Sequence, residues 1–179
     1  MKKVFISFAL LCVFTLCLFS YQQTQSNEAI LPLQTEQEAI AQVIDGMHAA
    51  ASRADLAAYL RAYTDDGVFM GTDDWERWSR PDTLDAYVTD RFKDGTGWQY
   101  TSVQRKINVA PEQKIAWFDE ITVSPTWGRF RGTGVMHKIQ GQWKIAHYSL
   151  SFLVPNEAWE RVSQISQQAY AQRDAQADK

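Results

Sequence analysis

From Ala39 to Ala51 apolar residues recur at Ala39, Ile40, Val43, Ile44, Met47, Ala50 and Ala51, the spacing that lines one face of an α-helix. Thr35 followed by Glu38 has the spacing of a capping box, so a first helix is expected from Thr35 to about Arg53. Asp55 can cap a second helix whose Leu56, Tyr59, Leu60 and Tyr63 hold one face. Asp65-Asp66-Gly67 then turns the chain into a short strand, Val68-Phe69-Met70. The charged and aromatic segment from Asp73 to Arg80 reads as a loop, and Pro81 opens a third helix through Leu84, Tyr87 and Val88 that ends near Gly95. From Trp98 onward the pattern is that of strands, expected over Trp98–Val109, Lys114–Val123, Arg129–Ile139 and Gln142–Phe152. Pro155 can open a last helix through Trp159 and Val162, before a polar, Gln/Ala-rich tail over 163–179, helical or disordered.

Helices first and long antiparallel strands afterwards predict an α+β fold in which a curved antiparallel β-sheet wraps over the N-terminal helices as a cone. Such a cone is either filled by side chains or left open as a pocket.

Strand registers decide which residues such a pocket would hold. Ile139-Gln140-Gly141-Gln142 has the form of a two-residue hairpin loop, and pairing Ile139 with Gln142 sets His147 opposite Gly134 and Ser149 opposite Gly132. Taking Ser124–Trp127 as the preceding loop pairs Val123 with Gly128. That register sets Trp117 opposite Gly134 and Asp119 opposite Gly132, with Glu120 meeting Arg131 on the other face as a cross-strand ion pair. Asp119 and His147 would then stand on strands about 9.5 Å apart, flanking two glycines, in the company of Ile115, Ile121 and Trp143.

An aspartate and a histidine over one pocket can serve as general acid and base, and Asp119 and His147 are the catalytic candidates. The alternative is that they satisfy each other within a filled core. The expected pocket has Trp117 as a wall, Gly132 and Gly134 as its floor, and Ser149, Trp75 and Tyr63 among its lining residues. Trp75 and Trp78 could close its mouth. Gly132-Thr133-Gly134 lies within a strand pattern, which favours a packing role over phosphate binding. His48 reads as a lone helical histidine without a partner at ligand spacing.

Composition narrows the chemistry. Within the 179 residues both cysteines, Cys12 and Cys17, lie in an uncharged apolar run from Val4 to Ser20 that follows Lys2 and Lys3. Residues 1–20 therefore read as a secretory signal peptide, or as an uncleaved membrane anchor, and 21–34 as a polar linker. Leu16 precedes Cys17 where a lipobox wants a small residue. Beyond that leader there is no thiol for a disulfide or a nucleophile. Three histidines without cysteine make a zinc cluster improbable, and no nucleotide fingerprint is present, so no metal or cofactor is expected. Without Lys2 and Lys3 the chain keeps 16 of its 18 basic residues against 21 acidic ones, a net of −5, and no basic run could track phosphates. Nucleic acid is not an expected partner, and membrane contact is expected only through the leader.

Several spaced motifs carry a resemblance. Trp117-Phe118-Asp119-Glu120, Arg131-Gly132-Thr133-Gly134-Val135, Trp143-Lys144-Ile145-Ala146-His147-Tyr148 and Phe69-Met70-Gly71-Thr72 after Thr64-Asp65-Asp66 together resemble the SnoaL-like family of the nuclear transport factor 2-like superfamily. The resemblance spans roughly Glu36 to Trp159, within a domain expected over 35–162. It implies a cone-shaped α+β barrel, frequent dimerisation through the sheet, and a pocket that relatives use for cyclisation, isomerisation, dehydration or plain binding. Three functions follow as expectations. The chain is an exported, periplasmic or secreted protein binding a small, partly apolar ligand. Alternatively it is a metal-independent isomerase, cyclase or dehydratase using Asp119 and His147. The third reading is a homodimeric structural module with Phe118, Val135, Tyr148 and Leu150 on an outer sheet interface.

Overall fold

The computed structural model describes residues 33–177, so the leader and nearly all of the linker expected over 1–34 lie outside the described residues. Helix α1 covers 33–52, which places Thr35 and Glu38 inside the helix rather than at its start. Helix α2 is short, Leu56–Arg61, and Asp55 caps it by accepting from the Ala58 amide at 3.0 Å. Strand β1 runs Tyr63–Met70, β2 Arg77–Ser79, and α3 Thr83–Phe92. Four long strands follow, β3 Thr101–Val109, β4 Ile115–Ser124, β5 Gly128–Ile139 and β6 Gln142–Phe152. A 3-10 turn, Asn156–Ala158, leads into helix α4, Trp159–Ala177. No helix among the described residues is long and apolar enough to cross a membrane.

The α+β architecture expected from the sequence is present. Six strands form one open, curved sheet in the order β2-β1-β6-β5-β4-β3, antiparallel throughout except for β1 beside β6. The periodic face of α1 is buried as its spacing predicts: Ile40, Ile44, Ala50 and Ala51 are fully buried and Met47 nearly so, against Tyr59, Tyr63, Leu84, Val88, Met136 and Ile145. Each large aliphatic side chain so buried contributes about 1.5–3 kcal/mol.

Local expectations failed where tertiary pairing outweighed local pattern. Tyr63 belongs to β1 rather than to a helix face, and Asp65-Asp66-Gly67 lies within that strand, whose pairing with β6 shifts register between Tyr63 and Val68. Trp78, expected in a loop, sits in β2 paired with Phe69. Of the two alternatives for the polar tail after Val162, the helical one is seen: α4 continues to Ala177 without burying a residue, and Arg173 ties it back to Asp73 and Asp74.

The β5–β6 hairpin has the expected pairing of Ile139 with Gln142, and its two loop residues, Gln140 (φ 50°) and Gly141 (φ 80°), both take the left-handed conformation such a tight turn demands. Two departures then change the faces. The β4–β5 loop has three residues, Pro125 to Trp127, because Gly128 at φ 88° pairs with Ser124, so every β4 partner moves by one position. In β6 the register shifts at Ala146, between Ile145 opposite Met136 and His147 opposite Val135. That bulge switches the buried parity from Trp143 and Ile145 to Tyr148 and Leu150.

Candidate functional site

The corrected registers move the expected site. Asp119 faces Thr133 rather than Gly132, and Trp117 and His147 both flank Val135 rather than Gly134. Asp119, Trp117, His147 and Ser149 do share a sheet face, but it is the outer one, where Trp117 is 50% exposed. Trp117, Asp119 and His147 line a shallow depression of about 330 Å³ there, and His147 Nε2 lies 3.3 Å from Met70 Sδ. The two glycines point the other way. A Cβ at Gly132 would collide with the Tyr148 hydroxyl, and one at Gly134 with the Phe118 ring, so both let core aromatics approach the strand. Phe118, Tyr148 and Leu150, expected on the outer face, are buried in the core, and of that group only Val135 faces outward. Tyr63 is fully buried, 3.3 Å from the Tyr59 hydroxyl. Trp75 is 64% exposed and meets Trp78 edge-on, while Trp78 rather than Trp75 lines the cleft walled by aromatic rings.

Glu120, expected as an ion-pair partner of Arg131 on the outer or dimer-facing side of the sheet, is instead buried in the core. The core-facing row of β4 begins apolar with Ala116 and Phe118 and turns polar with Glu120, Thr122 and Ser124, all buried. Glu120 Oε1 accepts from His48 Nε2 at 2.8 Å and from the Tyr148 hydroxyl at 3.0 Å. Its Oε2 accepts from Arg105 Nε at 3.0 Å and Nη2 at 2.8 Å, and the same Nη2 reaches Asp45 on α1 at 2.7 Å. Burial alone would push this carboxyl up. The hydrogen bond and charge of His48, with Arg105 behind them, outweigh burial and hold it at about 2. Burial and the Glu120 charge push the Tyr148 phenol well above its ordinary range, so it remains a donor. His48, read from sequence as partnerless, thus meets its partner across 72 residues, and Arg105 joins the pair from β3.

Beside this cluster a cleft of about 510 Å³ opens between the β1–β2 connection, α3 and the segment leading into β3. Its walls are aromatic. Trp78 stacks on Tyr87 with centroids 3.9 Å apart and on Phe69 at 5.7 Å, while Trp98 lies parallel to Phe69 within 9°. Phe69 continues the series to Tyr148 and Phe118, so near-parallel rings run from the cleft into the core. Arg91, Glu76 and Ser124 add polar groups at the lining, and the Glu76 carboxylate is occupied by the Thr72 and Asp73 amides. Among the described residues no three His, Cys, Asp or Glu side chains converge as a metal site requires.

The family model described as SnoaL-like domain matches residues 40–155. Among solved structures, a nuclear transport factor 2-like protein of unknown function from Pseudomonas putida superposes with a TM-score of 0.57 at 19% identity, covering 70% of this chain and 92% of that one. A protein with a cystatin-like fold from Nostoc punctiforme gives 0.56 at 16% identity, over 67% and 92%. Another cystatin-like fold, from Caulobacter vibrioides, gives 0.56 at 16% identity, over 71% and 95%. These likenesses establish the fold. No curated protein matches the chain.

Proposed function

We propose that this chain, which belongs to the SnoaL-like domain family, binds a small, planar and partly apolar molecule in the cleft between Phe69, Trp78, Tyr87 and Trp98. The observation that carries this reading is the set of near-parallel aromatic rings bordering about 510 Å³ of space, a volume within the range of small-molecule sites. Parallel rings favour a flat ligand, since stacking and apolar burial then act together. Thermal-shift screening of aromatic metabolites, steroids and hydrophobic acids tests it. A stabilising ligand whose effect is lost in Trp98→Ala supports the cleft; a protein stabilised by none of them counts against it.

A second reading rests on a different surface. Ile115 and Trp117 are 45% and 50% exposed on the outer sheet face, with Val135 and Met70 nearby, and apolar area of this kind suits a homodimer interface. We further propose export, on the strength of Lys2-Lys3 and the apolar run behind them; fractionation of the native host, with mass measurement of the mature chain, distinguishes a cleaved leader from an anchor.

A further inference from the structure

A second recess lies on another part of the domain. Between α1, α2 and the β5–β6 turn a cleft of about 600 Å³ opens, and it shares no lining residue with the aromatic cleft. Its floor is aliphatic. Ala39, Val43 and Gly46 stand at the i, i+4 and i+7 positions that share one face of α1, with Met47 buried beside them. Ala58 and Ala62, four residues apart, line the cleft from α2 and its C-terminal end. Gly46 adds room. A Cβ there would meet nothing within 4 Å, so no contact inside the domain requires a glycine, although a helix interior disfavours one.

The charges of this cleft share one sign. Arg53, Arg61 and Lys144 line it and no Asp or Glu does, although the chain as a whole has a net charge of −3. Nothing neutralises the three closely. Arg53 Nη2 lies 4.0 Å from Asp55 Oδ2 with both side chains exposed, so solvent screens that pair. Lys144 donates to the Arg61 carbonyl at 3.1 Å, which is a neutral acceptor. The Arg61 guanidinium makes no hydrogen bond or ion pair among the described residues. A recess lined by one sign of charge concentrates ions of the other sign.

We propose that this cleft is a binding site for a single-chain anionic amphiphile, a fatty carboxylate whose alkyl chain lies along the α1 floor past Gly46 and whose head group meets Arg53, Arg61 and Lys144. Small aliphatic walls with an adaptable methionine suit a flexible alkyl chain better than a stacked ring. The recess is concave, and its volume falls within the range of small-molecule sites, which favours a discrete ligand over the flat surface of a bilayer. With no lining residue in common, this site stands or falls independently of the aromatic cleft.

Calorimetric titration of the full-length chain with decanoate, decan-1-ol and acetate tests the proposal. Decanoate should bind at least about tenfold more tightly than decan-1-ol, the factor that one charge-assisted hydrogen bond supplies. Acetate, which has the charge without the chain, should not compete with it. Arg53→Gln combined with Arg61→Gln changes two exposed side chains and should reduce the preference for decanoate over decan-1-ol to under about threefold. Gly46→Leu fills the recess and should abolish decanoate binding without lowering the melting temperature, because leucine favours the helix and its Cβ meets open space. All variants carry the same N-terminal segment, so a difference between them belongs to the cleft. Equal binding of decanoate and decan-1-ol overturns the proposal, as does decanoate binding that neither variant alters. Absence of decanoate binding also overturns it; if the chain then sediments with phosphatidylglycerol vesicles through the same two arginines, the cationic rim is a membrane contact instead.

Discussion

Glu120 accepts a 2.8 Å hydrogen bond from His48, and the two residues are joined by nothing closer in sequence than 72 positions. The bond fixes α1 against β4, one strand in from the β3 edge of the sheet. It does so with the help of Arg105 from β3 and Tyr148 from β6, so one carboxylate gathers donors from three further elements. A buried acid with four donors is costly to disturb, because removing its charge or its partners strands polar groups in the core.

Replacing Glu120 by Gln should therefore destabilise the domain by roughly 3–5 kcal/mol, measured by urea unfolding at neutral pH. The pH dependence has a definite sign. The folded-state pKa lies below the ordinary 4.5, at about 2, so the contribution of this carboxylate is complete above pH 4.5 and is lost as pH falls toward 2. In Glu120→Gln the stability lost between those two pH values should shrink. An unchanged acid limb in the variant would show that other carboxylates govern acid unfolding.

Gly134 is expected to tolerate no side chain. A Cβ there would lie 2.7 Å from the His147 carbonyl oxygen, which is backbone, and against the Phe118 ring that stacks on Tyr148. Gly134→Ala should cost about 1–3 kcal/mol, as overpacking does in a filled core, and appear as a lowered melting temperature. Gly141→Ala should also lower it, through backbone strain rather than contact, since nothing lies within 4 Å of its Cβ position but its φ is 80°.

Arg173 makes the connection that the fold gives α4. Its guanidinium bonds both carboxylate oxygens of Asp73, at 3.0 and 2.7 Å, and Asp74 at 2.9 Å, and holds the Asp73 carboxyl well below its usual range. No residue of the helix is buried, so Arg173→Ala should free its C-terminal half. Chymotrypsin should then cut faster after Tyr170, while the melting temperature of the body stays where it was. Raising the salt concentration should act on the wild type in the same direction.

The elements were legible where one local signal sufficed. The three-and-four spacing from Ile40 to Ala51 fixes α1, and Gln140-Gly141 fixes the last hairpin, because both depend on residues next to one another. The faces of the sheet were not legible for a physical reason. On β4 the outward residues Ile115, Trp117 and Ile121 are more apolar than the inward Glu120, Thr122 and Ser124, so hydrophobicity points to the wrong side. The bulge at Ala146 then carries His147 and Ser149 outward, and no residue type in Lys144–Tyr148 announces it. His48 and Glu120 could be paired only once α1 and β4 were in place. One signal was available: an Arg105 and a Glu120 on adjacent long strands, each two residues from an apolar neighbour on its own face, are candidates for a buried ion pair.

The misread face of β4 supplies the last prediction. Ile115 and Trp117 stand on adjacent outward positions of one strand, about half exposed, where a monomer gains nothing from apolar groups of that size. If the sheet associates with a second copy, those two residues lie at its centre and carry most of its energy, as large aromatic anchors do. Light scattering should give the mass of a dimer for the wild type. The double substitution Ile115→Ser with Trp117→Ser should halve it. Because neither side chain contributes to the core, the unfolding free energy of the resulting monomer should stay within about 0.5 kcal/mol of a monomeric reference at the same concentration. A wild-type chain that scatters as a monomer at every concentration would leave the outer face without this role.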